Sequence, residues 1–182
     1  MPPEYLGSHI ASGRSHVTGR QHDLGFRAGT AIFGHLGVEW DLAEASACDV
    51  AELKAWIAFY KEQRGFLLTG DLVRMDGTGD RIHLHGVVAP DRSRALFAFA
   101  PADSTYPDPA PRLRLRGLDQ GRTYQVRPVI VGAAPSGLKP PQWWGGPGFP
   151  GAVFTGAALE LVGVAAPIVH PDQVVLMEVV SG

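Results

Sequence analysis

Residues Ser46 to Gly70, SACDVAELKAWIAFYKEQRGFLLTG, read as one strong helix running directly into a strand, and the character of the chain changes across it. Ser46 and Asp49 have the S-x-x-D form of a capping box, in which each side chain accepts from the other's free backbone N–H. The same carboxylate suits the positive end of the helix dipole. Val50, Leu53, Ile57 and Tyr60 then recur at helical spacing, and Trp56 and Phe59 widen the apolar stripe. Lys61 and Arg64 suit the negative end, and Gly65 supplies a stop. Before this helix the chain reads as alternating strand and helix. After it come short strands and turns, which predicts a division into residues 1–65 and 66–182.

Composition narrows the function classes. A formal net charge of −2 gives no electrostatic footprint for nucleic acid or an anionic membrane. One cysteine, Cys48, excludes an internal disulfide framework and a multi-cysteine metal site; at a helix start with no local base it reads as incidental. No apolar run approaches the roughly 20 residues needed to span a bilayer. MPPEYLGSH has neither a basic nor an apolar leader region, so the expectation is a cytoplasmic chain without a signal peptide.

In chain order, Tyr5–Ile10 reads as a short strand and ASGRSHVTGR as a loop. Residues 21–33 have helical spacing, and GVEWDL is a second short strand before the capped helix. Residues 1–65 therefore contain two βα units, too few to cover both faces of a parallel sheet. Beyond Gly65 the period becomes two. Phe66–Met75 is a strand candidate, with a turn at Asp76-Gly77 and Gly79. RIHLHGVV and Ala95–Ala100 form a hairpin, with Ile82, Leu84 and Val88 on one face and His83 and His85 on the other. Asp103–Pro111 is a proline-rich loop. Leu113 and Leu115 alternate with Arg112, Arg114 and Arg116, and Thr123–Val129 is a further strand. Residues 132–152 form a long Gly/Pro loop around Trp143-Trp144, a short segment spans Thr155–Val164, and Gln173–Val180 is the last strand. The fold class expected is mainly β, a C-terminal antiparallel sandwich preceded by two βα units.

Taken together, GSHIASGRSHVTGR, FRAGTAIFGHLGVEWDL and LKAWIAFYKEQRGFLLTGDLVRMD resemble the C-terminal part of the family 36 glycoside hydrolases, the α-galactosidases. The family's G-A-H segment falls on Gly7, Ser8 and His9, with Ser8 in place of the usual Ala. Its T-G-R falls on Thr18, Gly19 and Arg20, and its R-x-x-x-A-x-F-G helix on Arg27, Ala31, Phe33 and Gly34. The E-x-D-L strand falls on Glu39, Asp41 and Leu42, and the Y-K-x-x-R helix and its following glycine on Tyr60, Lys61, Arg64 and Gly70.

The resemblance implies the last two βα units of an incomplete (β/α)8 barrel followed by the family's C-terminal β-domain. It also implies hydrolysis of terminal α-galactosides with retention of configuration, without cofactor or metal. Retention needs two carboxyl groups about 5–5.5 Å apart, one as nucleophile and one as acid/base. In the family these aspartates stand in K-W-D and S-D motifs, neither of which occurs in this sequence; Trp40-Asp41 lies in the E-x-D-L strand instead. The chain is therefore expected to carry no catalytic residue and to be inactive by itself. Its substrate partner is the α-galactoside, reached through the rest of the barrel, and a homo-oligomer is expected.

The positions singled out each carry two readings. Ser8, His9, Trp40 and Asp41 would end barrel strands on the face where such barrels build their sites, which makes them rim candidates for a sugar pocket. Alternatively His9 hydrogen-bonds loop backbone and Asp41 caps the next segment. Arg20 and Arg27 read as structural ion-pair partners. Trp143 and Trp144 stack on a sugar ring, or else plug the end of the sandwich or a subunit contact. His83 and His85 project as metal ligands can, yet no third ligand lies near in sequence, which favours a surface or interface role. A solvated face accounts for the three arginines at 112, 114 and 116.

Overall fold

A computed structural model describes residues 5–75, 82–102, 110–145 and 151–182. The turn expected at Asp76-Gly77 and Gly79, and most of the proline-rich loop, lie outside the described residues.

The chain begins with β1 (Gly7–Ala11), α1 (Leu24–Ala31), β2 (His35–Glu39) and α2 (Ala47–Thr69), separated by short connections that include a 3-10 turn at Leu42–Glu44. The strands β1 and β2 pair in parallel, Ser8 opposite Leu36 and Ile10 opposite Val38, as two successive βα units require. Asp23 caps α1 by accepting from Phe26 N at 2.7 Å. The capping box of α2 is present with both bonds, Ser46 accepting from Asp49 N and Asp49 accepting from Ser46 N.

Two details of α2 correct the sequence reading. Gly65 does not stop the helix, which runs on to Thr69, so Phe66–Thr69 are helical and the strand β3 covers only Asp71–Arg74. The buried stripe is Leu53, Trp56, Tyr60, Gln63 and Leu67, spaced three and four apart; Val50 and Ile57 lie at its margin. A glycine in a helix interior costs about 1 kcal/mol relative to alanine. Burying Leu67 completely returns about 1.5–3 kcal/mol, which is enough to carry the helix past it. The glycine that matters is Gly70, where a Cβ would meet Val87 Cγ1 at 2.4 Å and Val88 O at 2.7 Å. Only a bare backbone turns from helix into strand that close to the sheet.

The remaining strands are β4 (Ile82–Val88), β5 (Arg94–Pro101), β6 (Arg112–Leu113), β7 (Thr123–Val129), β8 (Ala152–Thr155), β9 (Val164–Ala165) and β10 (Val175–Ser181). Five of them join β3 in one six-stranded antiparallel sheet, in the order β3-β4-β5-β10-β7-β8, with the last strand of the chain inserted inside it. The second layer is the β6–β9 ribbon, together with a short helix α3 (Gly156–Leu161). Sequence reading leaves this helix unassigned. It is six residues long, too short to show a period, and its one local signal is the Thr155 cap on Ala158 N.

Both faces of the sheet are dry at its centre. Phe97, Phe99, Tyr124 and Met177 point to the core under the ribbon and α3. Leu96, Ala98, Val87 and Leu176 point to a second core made with Ile10, Ile32, Leu53, Trp56, Tyr60 and Leu67. The apolar faces of α1 and α2 are therefore covered by the sheet. Gly29 makes the approach possible, since a Cβ there would meet Val174 Cγ1 at 2.2 Å.

His83 and His85 alternate out of the first core as the period predicts. His85 turns toward the second, its ring edge-on to Phe33 at 4.6 Å. Burial, and then the positive charges of Arg74 and His83, lower its pKa from 6.5 to about 4. Between those two values the unfolded chain binds a proton that the folded chain refuses, so stability rises with pH across that window. The contribution is fully present above pH 6.5 and is lost as pH falls toward 4. Its ceiling is on the order of 3 kcal/mol. Urea midpoints at pH 7.5, 5.5 and 4.5 are expected to fall more steeply for the wild type than for His85→Leu. Parallel slopes would show that His85 titrates as it does in water.

Tyr60 reaches out of α2 to hold the start of β2. Its hydroxyl donates to Gly34 O at 3.0 Å and accepts from Leu36 N at 3.2 Å. Tyr60→Phe leaves both backbone groups without this partner and is expected to cost about 1–3 kcal/mol by urea denaturation. A change under 0.5 kcal/mol would mean that water replaces the hydroxyl without loss.

Candidate functional site

The C-terminal ends of β1 and β2 bring together the residues singled out around His9 and Trp40. In a parallel pair, side chains alternate between the helix side and the opposite face. Ile10 is fully buried on the helix side, and Ser8 lies there with it, donating its Oγ to Ala31 O of α1 at 2.5 Å. Ser8 is thus turned away from the rim it was expected to line. His9 takes the open face and pairs with Glu39, Nε2 to Oε2 at 3.1 Å, both side chains being more than half exposed. An exposed pair of this kind adds little stability. It does present an imidazole and a carboxylate side by side on an open face, groups that can hydrogen-bond hydroxyls.

Trp40 and Asp41 follow Glu39 but face other tasks. Asp41 accepts from Ala43 N at 3.0 Å and caps the 3-10 turn, the second of its two readings. Trp40 lies against the guanidinium of Arg27, whose carbon sits 4.9 Å from the ring centroid. Arg27 also donates from Nη1 to Ala11 O and from Nε to Asp23 O. Arg27 therefore braces the ends of both strands at once, through backbone and ring instead of the expected ion pair. Burial lowers its pKa, opposed by the carboxylates of Asp49, Asp23 and Glu52.

The loop between β1 and α1 folds back on itself. Arg14 bridges Gln21, and Ser15 N donates to Arg20 O at 2.8 Å. Three contacts tie this loop to the segment just before β10. Arg20 and His22 both approach Asp172 at 3.7 Å, and Gln173 donates to Asp23 Oδ2 at 2.6 Å. Gln173 in turn accepts from Ser136 N at 2.7 Å. Sequence reasoning missed Asp172 and Gln173, since nothing local marks residues whose partners lie about 150 positions away. Asp23 had a signal, as an Asp directly before an apolar helical run.

The tryptophan pair lies elsewhere. Trp143 is buried in the core beneath the ribbon, its Nε1 donating to Ala165 O at 2.7 Å, and Trp144 packs beside it at 5.7 Å. Trp143 offers no free face to a sugar; it plugs the end of the sandwich. Among the described residues, no group of three His, Cys, Asp or Glu side chains is placed to hold a metal ion.

Comparison with known proteins supplies the family. The Melibiase family profile matches residues 1–70, and that of the glycosyl hydrolase family 36 C-terminal domain matches residues 83–173. An alpha-galactosidase of Escherichia coli is 34% identical over 97% of this chain and 25% of its own length. The crystal structure of the GH36 alpha-galactosidase AgaB from Geobacillus stearothermophilus superposes with a TM-score of 0.79 at 25% identity, over all of this chain and 22% of that one. A variant of AgaA from the same organism, in complex with raffinose, superposes with a TM-score of 0.78 at 25% identity, again over all of this chain and 22% of that one. The chain thus spans a quarter or less of the length of these relatives. With the βα units under one profile and the stretch from β4 to β9 under the other, the chain belongs to glycoside hydrolase family 36.

Proposed function

We propose that this chain supplies the C-terminal part of an α-galactosidase that hydrolyses terminal α-galactosides with retention of configuration. The observation that carries the reading is the 34% identity to the Escherichia coli alpha-galactosidase along 97% of the chain. The raffinose complex of the AgaA variant, an α-galactoside on a protein of the same fold, is in keeping with it. In this reading β1 and β2 close a (β/α)8 barrel, the large sheet buttresses their helices, and His9 and Glu39 contribute hydrogen-bonding groups to the open face. The two carboxyl groups of a retaining mechanism, about 5–5.5 Å apart, stand on other barrel strands. Neither K-W-D nor S-D occurs in this sequence, which supports assigning both roles outside it. The rival reading is a non-catalytic carbohydrate-binding or assembly module; its sugar-binding form rests on Trp143 and Trp144, and Trp143 is buried.

The purified chain at high concentration is expected to release no p-nitrophenol from p-nitrophenyl α-galactoside above the buffer rate. Turnover that survives repurification and is lost in Glu39→Gln would move the chemistry into this chain and overturn the assignment. Among the described residues β1 and β2 pair only with each other, and this together with the exposed Val38 and Leu42 favours self-association. Light scattering after gel filtration is expected to report more than one copy, and a monodisperse monomer would count against a homo-oligomer.

A further inference from the structure

A groove of about 330 Å³ lies between the second half of α2 and the end of β7, with Leu96 and Glu178 of the large sheet in its lining. Small-molecule sites usually measure about 300–1,000 Å³, so one small ligand fits. Phe59 lines the groove, and its neighbour Tyr60 bonds Gly34 and Leu36 at the start of β2. The groove is therefore level with the beginning of that strand, whereas Glu39 stands at its end.

Five polar side chains form one connected chain at the groove. Arg127 donates from Nε to Glu178 Oε2 at 2.6 Å. Arg94 donates from Nη2 to Glu178 Oε1 at 3.2 Å and to Gln63 Oε1 at 2.6 Å, and Gln63 donates to Glu62 Oε1 at 3.2 Å. Arg94 is also seated on the Phe66 ring, 4.4 Å from its centroid. Groups held in this way lose little freedom when a ligand arrives. The chain does not use all of its atoms. Arg127 Nη1 and Glu62 Oε2 have no partner among the described residues. Both side chains are open to water, Arg127 being 54% exposed.

Two arginines and two glutamates leave the array without net charge, which favours neither an anion nor a cation. A guanidinium and a carboxylate are planar, two-pronged groups, one a donor and the other an acceptor. Neighbouring hydroxyls on a carbon ring, each able to donate and accept, match both. The half-buried Phe59 on the helix side, with Pro128 and the exposed Ile130 on the strand side, supplies apolar surface for carbon-bound hydrogens.

We propose that this groove binds one neutral pyranose unit. Its ring oxygens accept from Arg127, its hydroxyls donate to Glu62, and its C–H face lies against Phe59 and Ile130.

The experiment is an NMR titration of the ¹⁵N-labelled chain with methyl α-galactopyranoside, and separately with methyl α-glucopyranoside, reading binding and not hydrolysis. The Arg127 Nε–H signal, identified by its loss in Arg127→Gln, and the amides of residues 59–63 and 127–130 are expected to shift saturably in the millimolar range. Nuclear Overhauser contacts are expected from Phe59 ring protons to sugar C–H protons. Glu62→Ala, on an exposed helix position, is expected to weaken binding several-fold and serves if Arg127→Gln does not fold. A response to one sugar alone, or to both, establishes the site and its selectivity. Three results would overturn the proposal: no saturable shift at the groove with either sugar, an equal response to glycerol, or groove shifts that follow protein concentration without sugar, which would make a second copy the occupant.

Discussion

The structure depends on the dryness of both faces of one antiparallel sheet. β5 and β10 alternate apolar side chains to either side, Phe97 and Phe99 one way, Leu96 and Ala98 the other. An antiparallel sheet with one wet face needs polar residues at every second position. Here neither face is available to water at the centre of the sheet, so the βα units are one of the two layers that the sheet requires. Removing α2 would uncover Leu96, Ala98 and Leu176 together, a patch of the kind that drives association. The two regions are matched by separate family profiles, yet they share a core.

That shared core explains how the loop after β1 is held. A loop of Gly, Ser and basic residues carries no apolar face of its own and would be mobile on a bare barrel. In this chain Arg20, His22 and Asp23 are met by Asp172 and Gln173 from the segment leading into the central strand. The exposed ion pairs are individually weak. The largely buried Gln173 amide is stronger support, because its donor and acceptor are both used and both would be orphaned if the loop moved. The sheet thus fixes a loop at the open end of the barrel strands without contributing a residue to the open face.

Much of this was legible in the residues, and the misses have physical causes. The capping box, the two βα units and the hairpin of β4 and β5 follow from local chemistry and period, and the structure has all three. Gly65 misled because a propensity of about 1 kcal/mol was read as decisive where Leu67 had a core to enter. Trp143 carried two readings because a Gly/Pro loop reads as surface; its ring closes a core built from strands on either side of it, the second of the two. Arg27 was expected in an ion pair; its guanidinium was used instead for two carbonyls and a ring, which no spacing encodes. Ser8 and His9 show how narrow the margin is. Period two decides that neighbours face opposite ways, but only the burial of Ile10 decides which of them faces the helices.

The same reasoning accounts for two βα units holding the arrangement of a whole barrel. All of this chain superposes on solved structures of which it covers 22%, at TM-scores of 0.78–0.79. In a closed barrel each strand is fixed by neighbours on both sides, and among the described residues β1 and β2 pair only with each other. Their positions are set instead from behind, by helices seated on the large sheet through Trp56, Tyr60 and Leu67. Tyr60 passes that constraint to β2 through Gly34 and Leu36, and Ser8 passes it to β1 through Ala31. Strand placement in this chain is therefore a consequence of helix packing on the sheet.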